Sequence, residues 1–217
     1  MENRHASRIK VIRKFRFQRI DEIKAGDTPF PLVDGAKILL HIVPSNAFDP
    51  SVRYDIDSLN IDWESFPPLH LEQPEFGARV HSFPAPERVL DGIIVCSQLS
   101  HSSVKIRYDG VIEADDAYFL NARKNEKILL KPIEEELLQP LQKYLQLQKQ
   151  LNIELPLFIM LSYLGVRGYF VHGCRSQIDK DDIVIPEIEI NSFERKLDEI
   201  MKKISNRFLS ECGIHKR

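Results

Sequence analysis

The chain has 217 residues, 43% of them apolar and 29% charged, with a formal net charge of −2. That length suits one large domain with a buried core, and the balance excludes a polycation, a collagen-like repeat and a wholly disordered chain. Cys96, Cys174 and Cys212 are too few and too scattered for a disulfide framework and match no paired metal spacing, which predicts a reducing, cytoplasmic setting. The longest apolar runs, such as Leu155–Leu164, fall short of the roughly 18 residues of a membrane span. The basic N-terminus lacks the apolar stretch of a signal peptide.

Between Arg4 and Lys24, eight Lys or Arg stand against two acids, Asp21 and Glu22. On a helix, Ile9, Ile12, Phe17, Ile20 and Ile23 gather on one side, the stripe that docks a helix to a body or a partner. Arg16 falls inside this stripe and Arg13 beside it. A guanidinium on an apolar face is costly unless paired, so a carboxylate or an interface is expected there, with Ile9, Ile12, Arg13, Arg16 and Ile20 as the interface candidates for a protein partner or a second copy. Arg8, Lys10, Lys14 and Arg19 are the candidates for phosphate contacts, because clustered cations release counterions from nucleic acid. The plainer reading of the same residues is a solvated helix surface. Gly26, Pro29 and Pro31 end the helix. Residues 1–26 are thus expected as an N-terminal basic helix and 27–217 as a single α+β domain.

Ala36–Val43 is aliphatic and closed by Pro44, which predicts a buried strand. Seven prolines from Pro44 to Pro86 make the next stretch irregular, with short helical turns and with Trp63 and Phe66 pinning it to the core. Ile93–Cys96 reads as a strand. Val104, Ile106 and Tyr108 alternate with Lys105 and Arg107, and Asp109-Gly110 then leads into Val111-Ile112-Glu113, so an antiparallel hairpin with a two-residue turn follows. Lys105, Arg107 and Glu113 would share its solvent face. A helix is expected from Pro132, with Leu137, Leu141, Tyr144, Leu145 and Leu151 at helical spacing and Pro140 kinking it. Leu157–Leu164 is a core strand, Gly165–Gly168 a turn or bulge before Tyr169–Val171, and Ile183–Ile190 a strand that Pro186 places at an edge or a bulge. Asn191 with Glu194 is a plausible capping box for a final amphipathic helix through Leu197, Ile200, Ile204 and Phe208, with Phe193 on the same face. The fold class is therefore α+β: a mixed, mainly antiparallel sheet with an N-terminal basic helix, a central Pro-kinked helix and a C-terminal amphipathic helix.

Chemistry-bearing motifs are sparse. His172-x-Cys174 has soft ligand types, but zinc needs four ligands or three plus water, and the other histidines are scattered. Glu134–Glu136 and Asp179, Asp181 and Asp182 could hold Mg²⁺ for a nuclease, yet a helix start and a turn account for them equally. There is no Gly-rich phosphate loop. No catalytic residue, metal site or cofactor is assigned.

Several ordered segments together resemble a known family. Arg13–Leu32, Leu39–Pro44 followed by Ala47-Phe48, Leu90–Val95, Val111–Glu113, Leu164–Tyr169 and the final amphipathic helix are similar to the region that follows the Schlafen-type AlbA domain in many bacterial proteins. The similarity runs from about residue 8 to about residue 213. In that family, nucleic-acid or nucleotide binding is attributed to the AlbA-type domain, and this chain begins where that domain would have ended. The resemblance implies the C-terminal module standing alone, as a separate gene or as a fragment, in bacterial regulation or anti-phage defence, and a full core with no convergent titratable set makes the expected function a non-catalytic association or sensor module. The alternatives are a nucleic-acid-binding protein or a metal-dependent nuclease.

Overall fold

The structure is a computed structural model that describes residues 2–28, 32–62, 64–70, 85–97, 101–122, 128–129, 131–172, 174 and 177–214. It is α+β. Helix α1 (Glu2–Ala25) leads into β1 (Lys37–Pro44), a short 3-10 turn (Ile56–Ser58), then β2 (Glu87–Val89), β3 (Gly92–Cys96), β4 (Ser102–Arg107) and β5 (Ile112–Asp116). Next come the short α2 (Phe119–Ala122), β6 (Ile128–Leu129), α3 (Lys131–Gln150), β7 (Leu157–Leu164), β8 (Phe170–Val171), β9 (Ile183–Val184), β10 (Ile188–Ile190) and α4 (Leu197–Glu211). Trp63 lies outside the described residues, whereas Phe66 is buried as expected.

The main sheet has the order β10-β7-β1-β5-β4-β3-β2, with β9 also on β7, and every pairing within it is antiparallel. A parallel β6–β8 pair forms a second, small sheet. The central strands β1 and β7 are apolar on both faces, which requires cover on both. On one face Ile38, Leu40 and Ile42 of β1 and Ile159, Leu161 and Tyr163 of β7 meet Leu141 and Tyr144 of α3 and Ile204 and Phe208 of α4. On the other face α1 lies across the sheet. Ile12 packs with Val43, Phe158 and Met160, while Ile20 and Ile23 pack with Leu39 and Leu164.

Three local expectations change. The β4–β5 connection is a three-residue loop, not a two-residue type I′ turn: Gly110 N–H bonds back to Arg107 O, Arg107 N–H reaches Val111 O, and Gly110 takes the positive φ (84°) while Asp109 does not. The capping box is not made. Helix α4 starts after Lys196, Glu194 reaches Lys149 instead, and Phe193 and Leu197 only flank the core. The strand expected over Ile183–Ile190 is divided into β9 and β10, both on β7, with Pro186 in the break.

Gly92 lies opposite Arg107 in the β3–β4 ladder, where a Cβ would stand 1.9 Å from the Ile106 carbonyl oxygen. Backbone, not a yielding side chain, occupies that space. Gly92→Ala is therefore expected to cost about 2 kcal/mol through displacement of the β3–β4 pairing, measurable by urea unfolding. A wild-type midpoint would show that the hairpin shifts without loss.

Candidate functional site

Successive strand residues alternate between faces, so His41 of β1 and Glu113 of β5, directly opposite each other in register, share the face that α1 covers. Arg19 of α1 comes down onto them. Its guanidinium donates to both Glu113 oxygens (2.8 and 2.7 Å) and also to Glu22, while His41 Nε2 lies 3.0 Å from Glu113 Oε2. Burial by itself would raise the Glu113 carboxyl. The hydrogen bonds and charges of His41 and Arg19 outweigh it and hold the group well below the usual carboxylate range. His41 is fully buried, with Phe15 edge-on to its ring at 5.5 Å, and its Nδ1 has no hydrogen-bond partner among the described residues.

One row along the same face, Asp115 accepts the Ser103 N–H (3.0 Å) and the Ser103 hydroxyl (2.7 Å). Among the described residues no cation forms an ion pair with it. Burial pushes its carboxyl up to about 7, with the Glu113 charge adding to the rise and the Ser103 bonds opposing it. Asp116 points to the opposite face, where its Oδ1 accepts the Phe119 N–H (2.8 Å) and its Oδ2 has no partner among the described residues. It too is pushed up to about 7 by burial. Nearby, the Tyr118 ring stacks with His70 and with His101, at centroid distances of 4.6 and 5.1 Å. Two acids in succession within a β-strand must include one that faces inward, and that was the overlooked sequence signal for these groups.

The residues expected at an interface are now placed. Ile12, Arg16 and Ile20 are buried against this chain's own sheet, and Ile9 is partly so. Arg16 is only 2% exposed. It donates to the Ser162 hydroxyl (3.0 and 2.8 Å), to the Ile185 carbonyl (2.5 Å) and to the Leu161 carbonyl, and its desolvation lowers it to about 10. Backbone oxygens, not a bonded carboxylate, receive this cation. Arg13 instead binds Glu187 (3.1 and 2.5 Å). Phe17, placed in the stripe from sequence, is 52% exposed, because it sits one residue past Arg16 and so about 100° further around the helix.

The four phosphate candidates divide. Arg19 is bound to Glu113, and the face expected to be solvated by Lys105, Arg107 and Glu113 is covered at Glu113, which is 5% exposed. Arg8, Lys10 and Lys14 are exposed and form no ion pair among the described residues. Lys10 and Lys14 share the outer side of α1 with Phe17 and Asp21, whereas Arg8 lies toward the loop after β1.

The acids considered for metal binding are dispersed. Glu134 meets the Ser205 hydroxyl, Asp181 binds Arg167 and Asp182 binds Lys24. His172 is exposed and Cys174 half-buried. Among the described residues no group of three or more His, Cys, Asp or Glu could hold a metal ion, and no helix is long and apolar enough to cross a membrane. Fold and site together define an α+β protein whose antiparallel sheet carries helices on both faces and whose charged groups on the α1 face are turned into its own packing. Compared with family models, curated proteins and solved structures, the chain matches none.

Proposed function

We propose that the chain is a non-catalytic association module that pairs with a second copy through the outer ridge of α1. The observation that carries this reading is the order Lys10, Lys14, Phe17, Asp21 along that ridge, at spacings that put all four on one side of a helix. Two such helices laid antiparallel about a two-fold axis bring Lys10 against the partner subunit's Asp21 and Lys14 over the partner subunit's Phe17. The ridge is thus self-complementary, as an isologous contact must be. Lys10, Lys14 and Asp21 have no other ion partner among the described residues, and Phe17 exposes half of its surface. On the resemblance to the AlbA-associated region, such a module would serve a bacterial regulatory or anti-phage defence system.

Light scattering at tens of micromolar in low salt tests the pairing. Wild type is expected as a dimer that loosens with added salt, since exposed charges are screened. Lys10→Glu and Phe17→Ser are each expected to yield monomer, and Asp21→Lys added to Lys10→Glu to restore the dimer. A monomeric wild type, or a dimer indifferent to all three changes, overturns the reading.

Arg8, Lys10 and Lys14, exposed and in no ion pair among the described residues, favour a second reading, contact with a nucleic-acid backbone. With three cations engaged on duplex DNA, the log–log salt slope is expected near about −3, at roughly −0.9 per phosphate. No binding at low salt ends that reading. Mg²⁺-dependent degradation of nucleic acid, abolished by Asp181→Ala or Glu136→Ala, would replace both with a nuclease.

A further inference from the structure

Phe48 lies in the loop after β1 with φ at 70°, in the left-handed region that a bulky side chain seldom occupies. Such strain persists only where the surroundings enforce it, and it concentrates at ligand sites. Phe48 and Asp49 form the wall shared by two adjoining depressions of about 330 and 370 Å³. Arg8 and Val11 of α1 border the first; Arg53, Arg107 and Tyr108 border the second. Each has the size at which small-molecule sites begin, roughly 300 Å³.

The lining is aromatic and carries guanidinium groups. The Phe48 ring lies 5.0 Å from that of Phe15, and the Arg107 guanidinium stands 5.8 Å from the Phe48 ring. Arg53 holds its guanidinium 3.7 Å over the Tyr108 ring, a cation–π contact that engages the charge without a carboxylate. Charges along the walls largely cancel. Arg107 binds Asp109 (3.2 and 2.8 Å), Lys105 binds Asp91 (3.2 Å), and Asp49 accepts the Ser51 N–H and hydroxyl. Arg8 and Arg53 remain, exposed and without a carboxylate bonded to either among the described residues; Asp49 faces both lobes, and Asp91 and Asp109, already held by Lys105 and Arg107, also line the second.

Aromatic faces beside unbonded guanidinium groups are the chemistry that recognises a planar base joined to a phosphate. We infer that this cleft binds a nucleoside phosphate, with its base against the Phe48 ring and its phosphate on Arg53, Arg8 serving the adjoining lobe. The inference is separate from the α1 ridge, whose Lys10 and Lys14 do not line the cleft. The same chemistry is offered by a free nucleotide and by a nucleotide within a single strand.

Calorimetric titration of the full chain with AMP, ATP, a thymidine decamer and inorganic phosphate tests it. AMP or ATP is expected to bind at least about tenfold more tightly than inorganic phosphate, because stacking on an aromatic side chain is worth about 1–3 kcal/mol. Decamer binding far tighter than AMP, and steeply salt-dependent, assigns the site to a strand; comparable affinities assign it to the free nucleotide. Arg53→Gln, at an exposed position, is expected to weaken binding about tenfold, and so is Phe48→Gly, whose glycine accepts the positive φ without strain. Melting curves verify that both variants fold. Lys10→Glu with Lys14→Glu is expected to leave AMP binding unchanged. The inference is overturned if neither mononucleotide nor decamer binds at millimolar concentration in low salt, or if both cleft variants bind as wild type does.

Discussion

The urea midpoint is expected to be highest near pH 4 and to fall from there until it levels off above about pH 7. Asp115 and Asp116 ionise in the folded chain only near 7, against an ordinary value of 3.8. Between those limits the folded state holds protons that the unfolded state has released, so stability declines as pH rises through the window and levels off above it. One pKa unit corresponds to about 1.4 kcal/mol, which makes the decline as much as roughly 4 kcal/mol for each carboxyl. Glu113 acts with the opposite sign. Its carboxyl is held below the ordinary 4.5, so its contribution is complete above that value and is lost as pH falls beneath it. The two trends place the maximum between them. Asp115→Asn offers an isosteric check, because its amide keeps the Ser103 N–H as donor to its oxygen and gives the Ser103 hydroxyl an N–H to accept. It is expected to stabilise the chain by a few kcal/mol at pH 8 and by under half as much at pH 5, where only part of the linkage has developed. A midpoint that is flat or rises from pH 5 to 8 contradicts the burial of these two acids as ionisable groups.

Glu113→Ala is expected to cost about 3–5 kcal/mol, since it leaves the Arg19 cation part-buried with only Glu22 and removes the partner of His41 Nε2. For a chain of this size that corresponds to a fall in Tm of roughly 10 °C. Adding Arg19→Met is expected to recover part of the loss, because the stranded charge is removed together with its counterpart. Thermal unfolding at pH 7 of both single variants and the double variant gives the coupling. Strict additivity would show that Arg19 and Glu113 do not act as a pair. Arg19→Met is also expected to leave the Lys10 and Phe17 pairing ridge intact, so dimerisation and stability separate in the same set of proteins.

The alternation in β4, the apolar runs of β1, β3 and β7 and the helical spacing in α3 and α4 are local signals, and each produced its element within a few residues. Local chemistry suffices there because the residues that define the pattern also make the contacts. The stripe Ile12, Ile20 and Ile23 was legible in the same way, as was the need to compensate Arg16. What received Arg16 was not: its acceptors are the Leu161 and Ile185 carbonyls and Ser162, more than 140 residues away. Backbone oxygens have no signature in a sequence. The cleft was likewise out of reach, because Phe48, Arg53 and Tyr108 converge only after the chain has returned through β3 and β4. The amino-acid sequence by itself determined the α+β class, the hairpin and the amphipathic helices. Tertiary structure alone decided that the face bearing Glu113 lies beneath α1 and that Arg19 belongs to Glu113, 94 residues distant. A period of two tells which side chains share a face, but what comes to rest on that face depends on how the elements pack.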